Sequence, residues 1–143
     1  VRSFAAVREL AASGPVAATV RGASMAPLLA DGDRVAITRA RLYLPGDVVA
    51  FRAGPAGEER IVVHRLLGYR LHRGRLACVT QGDASPTPDP PFPLRELLGR
   101  VVSHSGRDPL APPRARLAAV AGWLRLAVRS LGRRATRVAD RGR

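Results

Sequence analysis

The chain has 143 residues, 46% of them hydrophobic, which is enough for one domain with a buried core and too few for a second large domain. Its formal net charge is +13 and all 24 basic residues are arginine, so no mechanism that needs a lysine is open to it. The single cysteine, Cys78, excludes an intrachain disulfide and argues against a cysteine-rich metal site.

Residues 1–13 carry Phe4, Val7, Leu10 and Ala11 at helical spacing, and Gly14-Pro15 ends the pattern. This predicts a short amphipathic helix. Val16 to Arg21 reads as a strand, after which Gly22 gives the backbone room to turn toward Ser24. Arg34–Thr38 and Asp47–Arg52 read as further strands around the turn Leu44-Pro45-Gly46-Asp47. The doublet Gly-Asp recurs at 32–33, 46–47 and 82–83, and for Asp33 and Asp47 turn chemistry alone is the expected role.

Gly54 to Glu59 reads as a loop, followed by a long hairpin, Arg60–Tyr69 and Leu76–Thr80, about the turn at Gly74. Ser85–Pro93 holds five prolines and is expected as an ordered loop, not a ladder strand. Leu97–Ser103 closes the strand-rich part. The expectation is a mainly β domain over residues 1–108, a closed or folded-over, barrel-like sheet, with linker and helix in 109–143. In that helix Leu117, Ala121, Leu124, Val128 and Leu131 form one apolar stripe beside Arg114, Arg125 and Arg129. The stripe suits packing on the β core or a second copy; alternatively it suits an anionic bilayer, with Trp123 near the interface. Arg133–Arg143 is expected as a frayed basic end.

Residues 105–143 hold ten arginines against two aspartates, a net of +8, so the basic character concentrates there. Such a tail can meet nucleic acid or an anionic membrane, although arginine-only usage also fits compositional bias. No phosphate-cradling glycine loop and no aromatic-rich basic strand is present, which argues against nucleic acid as the partner. Val1 to Gly14 lacks the apolar run of a signal peptide, and no stretch approaches the ~18 to 20 apolar residues of a span. The expectation is a cytoplasmic protein, at most peripheral to a membrane, or a part whose anchor lies elsewhere.

A serine hydroxyl is a poor nucleophile at neutral pH and needs a base within hydrogen-bond reach, itself oriented by a third group. Ser24, His64 and a carboxylate from the 82–89 loop supply those three types. In isolation Ser24 would cap a turn and His64 would be a half-buried strand residue, with Asp83 and Asp89 satisfying loop amides. A zinc site from His64, His72, His104 and Cys78 matches no common ligand spacing, and no cofactor is called for.

The joint pattern changes that balance. Gly22-Ala23-Ser24-Met25-Ala26-Pro27, Asp31-Gly32-Asp33-Arg34-Val35, Pro45 to Phe51, Val63-His64-Arg65, Thr80-Gln81-Gly82-Asp83-Ala84, Asp89 and Leu98 to Val102 follow one another in order. This resembles the signal peptidase I and LexA-like serine peptidase superfamily, from about Val16 to Val102. The resemblance implies Ser24 as nucleophile at the mouth of a β-rich fold. Where the superfamily commonly has a lysine base, this chain has His64, which is similar to the Ser-His branch of archaea, the endoplasmic reticulum and some spore-forming bacteria. The resemblance then places the orienting carboxylate at Asp89 and gives Asp83 a supporting role. Many signal peptidases carry an oxyanion-hole serine two residues before the nucleophile, and here that position is Gly22, so backbone N–H groups would have to serve.

The expected activity is cleavage of an extended peptide; the preference for small residues before the cut comes from the resemblance alone. With a reference pKa near ~6.5 a histidine works as base at neutral pH, and activity should decline below about pH 6. Two other readings stand beside this one. A repressor-like self-cleaving module is disfavoured because no DNA-binding domain precedes Ser24. A catalytically silent binding module with an arginine-rich tail would leave Ser24, His64 and Asp89 together without purpose.

Overall fold

The computed structural model describes residues 4–55, 57–103, 110 and 112–140, with backbone only at 132 and 134–140. Helix α1 (Phe4–Ser13) leads into strands β1 (Val16–Thr19), β2 (Arg34–Thr38), β3 (Val48–Ala53), β4 (Arg60–His72), β5 (Arg75–Gln81), β6 (Phe92–Pro93) and β7 (Leu97–Ser103). A 3-10 turn, Leu94–Glu96, joins the last two, and helix α2 spans Pro113–Asp140. All neighbouring strands are antiparallel in the order β1-β2-β7-β3-β4-β5-β6.

The sheet is open, which corrects the expectation of a barrel-like closure, and with its two helices the fold is mixed α/β. The reason lies at the edges. β1 pairs with β2 alone, and at the far end β6 is two residues long, one a proline whose missing N–H stops the ladder. That short strand also revises the reading of 85–93, since Phe92 and Pro93 pair with Cys78 and Ala77. Helix α2 continues to Asp140, so the backbone from Arg133 to Asp140 is helical rather than frayed, and 141–143 lie outside the described residues.

β3 lies between β4 and β7 and is buried on both faces. Because successive side chains alternate, Val48 and Ala50 join α1 residues Val7 and Ala11, Met25, Leu29 and Val101 in one apolar cluster. Val49 and Phe51 belong to a second, with Leu66, Cys78, Phe92 and Leu97, where Phe51 and Phe92 stack at 4.2 Å. Burial pushes the Cys78 thiol up to about 11. Register shifts at Ala50/Phe51 and Leu66/Gly68 mark bulges that bend the central strands.

The predicted stripe of α2 does not pack on the sheet. The helix seats instead through Ala119, Trp123 and Leu126 against Leu67 and Val79. Trp123 Nε1–H donates to Tyr69 O at 2.8 Å, which fixes the indole against β4. The indole lies over Gly68, where an added Cβ would stand 2.7 Å from a ring carbon. The first turn is tied down by Arg116, which donates to Asp47 Oδ1 at 3.0 Å and Pro45 O at 3.2 Å. Asp47 therefore exceeds the turn role expected of it. It does accept from Leu44 N–H, but it is fully buried and also takes Arg100 at 3.1 Å, so two guanidinium groups compensate its charge. Among the described residues no helix is long and apolar enough to cross a membrane.

Candidate active site

Ser24 sits in the loop between β1 and β2. The neck of this loop is closed by Val20 N–H donating to Asp33 O and Gly32 N–H donating to Val20 O, both at 2.9 Å. Gly22 adopts φ +85°, a left-handed conformation that a side chain would strain, and its N–H donates to Asp31 Oδ1 at 2.8 Å. Asp33 accepts from Ala30 N–H at 2.8 Å, the turn role expected of it. Beyond Gly22, Met25 and Leu29 are buried in the first apolar cluster, and Leu29 N–H bonds to Met25 O. Burying Met25 holds the turn against the core while its neighbour Ser24 stays exposed at the rim.

His64 lies on β4 opposite Val49 of β3. Its ring is nearly buried, edge-on to Phe51 with centroids 6.1 Å apart. Nε2 stands 3.1 Å from Ser24 Oγ, and Nδ1 stands 2.7 Å from Asp89 Oδ2. A carboxylate only accepts, so the proton belongs on Nδ1 and Nε2 is left to accept from the serine hydroxyl. Asp89 is itself fixed twice by Thr80, whose Oγ1–H donates to Oδ2 at 2.7 Å and whose carbonyl takes the Asp89 N–H at 2.8 Å. Three side chains separated by 40 and 25 residues thus form one hydrogen-bonded line.

Asp83 occupies a different place. It receives both Nε and Nη2 of Arg65, at 2.8 and 2.6 Å, in a bidentate pair on the other face of β4. The remaining Nη1 of Arg65 donates to Gly46 O at 2.8 Å and Leu110 O at 3.1 Å. Asp83 supports the loop and does not touch His64. Between the two aspartates, Ala84 N–H donates to Ser24 O at 2.9 Å, so the loop holds the Ser24 backbone directly.

Several contributors went unassigned in the sequence reading. Gly82 leaves no room for a side chain: a Cβ there would meet Ser24 O and Ser85 Oγ at 2.7 Å and His64 Nε2 at 3.1 Å. Thr80 and Arg65 each fall on the correct strand face by alternation, Thr80 with His64 and Arg65 with Asp83, a signal that was present in the spacing. Of the other histidines, His72 is exposed at the end of β4 and His104 lies outside the described residues.

Two clefts meet at His64. One, of about 560 Å³, has Phe51, Val62, Phe92 and Asp89 in its wall and the Arg52–Glu96 ion pair at its rim. Hydrogen bonding from Arg52 holds the Glu96 carboxyl below the usual range. The larger, of about 1440 Å³, runs between β1 and the start of β4 and reaches Ser24. Its two walls have strand edges to spare, because β1 pairs only with β2 and β4 meets β5 only from Arg65 onward. The sequence matches no family model, no curated protein and no solved structure.

Proposed function

We propose that this chain is a serine endopeptidase in which Ser24 is the nucleophile, His64 the general base and Asp89 the carboxylate that orients and stabilises the imidazole. The observation that carries this reading is the continuous line Ser24 Oγ, His64, Asp89, with both imidazole nitrogens engaged in the polarity that catalysis requires. His64 Nε2 takes the hydroxyl proton as Oγ bonds to the peptide carbonyl carbon. The tetrahedral intermediate collapses when the C–N bond breaks and His64 returns the proton to the leaving amine. A water molecule, deprotonated in turn by His64, then hydrolyses the acyl ester.

The oxyanion needs donors near Oγ. Gly22 N–H is committed to Asp31, whereas among the described residues the Ser24 N–H has no hydrogen-bond partner, which favours it as one donor. The open edges of β1 and early β4 suit a substrate in extended form, paired along its main chain in the larger cleft. Small residues before the cut are what the family resemblance adds. Neutral His64 is the acting base.

The test is digestion of a peptide library by the purified chain, read by mass spectrometry, beside Ser24→Ala and His64→Ala. Cuts that vanish in both variants support the reading, and cuts that persist in either one overturn it.

A further inference from the structure

We infer that the outer face of α2 is a docking surface for an anionic lipid bilayer. Seating the helix through Ala119, Trp123 and Leu126 leaves Leu117, Val120, Leu124, Val128 and Leu131 in water, with Leu117 73%, Val128 68% and Leu131 64% exposed. At about 100° per residue these five fall within an arc of roughly 80° centred about 130° around the helix from the seated residues, and the seam is about 21 Å long. They are five of the twelve large apolar side chains exposed among the described residues, and they make one continuous stripe. Arg114, Arg125 and Arg129 are exposed along the helix, and no acidic residue occurs from Pro109 to Ala139.

Charge decides among the occupants. A second copy stacked on this face would bring together two helices that each carry Arg114, Arg125 and Arg129 and no acidic residue from Pro109 to Ala139, on chains of net charge +13. A nucleic acid would satisfy the arginines yet leave the stripe in water, since its phosphate surface offers nothing apolar. A bilayer with anionic headgroups takes both, the stripe at the acyl boundary and the guanidinium groups at the phosphates. The helix does not have to leave the sheet to bind, because Trp123 and Arg116 stay on the seated side. No catalytic side chain lies on this face, so lipid binding stands or falls independently of the peptidase reading.

The test is co-sedimentation of the full chain with vesicles of phosphatidylcholine and phosphatidylglycerol, against phosphatidylcholine alone, with sizing and duplex DNA binding alongside. Wild type should partition onto the anionic vesicles and only weakly onto the neutral ones. Leu124→Ser with Val128→Ser should weaken partitioning by about thirtyfold or more. Arg125→Gln with Arg129→Gln should weaken it by about fivefold for each arginine. All four positions are exposed, so both double variants keep the wild-type melting temperature. Failure of wild type to bind anionic vesicles overturns the inference, and so does binding that survives the Leu124→Ser/Val128→Ser change. A dimer that this double variant dissociates, or DNA binding without vesicle binding, would assign the face to those partners instead.

Discussion

His64 and Arg65 are adjacent in β4, yet alternation sends them to opposite faces and they do opposite work. The His64 face gathers Thr80 and Asp89 around an imidazole whose Nε2 is left open to accept the Ser24 proton. On the Arg65 face, Asp83, Gly46 O and Leu110 O saturate a guanidinium that never exchanges a proton. One loop, 82–91, serves both sides by supplying Asp83 to one and Asp89 to the other. The difference teaches that carboxylates six residues apart take their roles from which face of the strand they reach, not from their sequence context.

The contrast can be broken from either side. His64→Ala should lower peptide cleavage on the order of 10⁴-fold or more while leaving thermal stability nearly unchanged, read by kinetics and a melting curve together. Loss of fold along with activity would mean that the two faces are not separable. Gly82→Ala sits where the faces meet, and displacing the Ser24 carbonyl or the imidazole should cost about 10²-fold in rate. Arg65→Met should act mainly on stability: it removes a buried guanidinium and leaves the partly exposed Asp83 unpaired, and should cost about 2 kcal/mol, near 6 °C in Tm. Activity per folded molecule should then stay within about tenfold of wild type. The smallest effect concerns Cys78. With its thiol pushed up to about 11 and no exposed surface, it should resist a thiol reagent at pH 8, and label faster in Arg65→Met only as unfolding becomes more frequent.

Much of the local structure was legible because it depends on local rules. Short runs rich in aliphatic residues between turn signals located Arg34–Thr38 and Leu97–Ser103 to the residue, and Gly74 located the long hairpin. Ser24 and His64 were legible through the order of the motifs that carry them and Asp89 through the family resemblance alone, and the structure brings those three side chains together. Sheet closure was not legible, because whether two edges meet depends on bend and register summed over seven strands. Helix α2 does pack on the β core, one of the two expected alternatives, but through other residues than the expected stripe, for a related reason. Periodicity finds an apolar stripe but not what covers it, and the small or off-stripe residues Ala119, Trp123 and Leu126 fit the surface that Gly68 leaves open. Asp47 shows the same limit, since its turn signal was correct and its two arginine partners come from 53 and 69 residues away.

The central claim is that Asp89 orients the catalytic base while Asp83 only holds the fold. It is tested most directly by comparing Asp89→Asn and Asp83→Asn in single-turnover cleavage of the best library peptide, at a temperature where both variants are folded. The account predicts that Asp89→Asn loses roughly 10² to 10⁴ in rate with little change in Tm, because an amide no longer enforces the Nδ1–H tautomer. Asp83→Asn should lower Tm and keep most of its activity per folded molecule. Wild-type rates in Asp89→Asn, or the larger loss in Asp83→Asn, would contradict it.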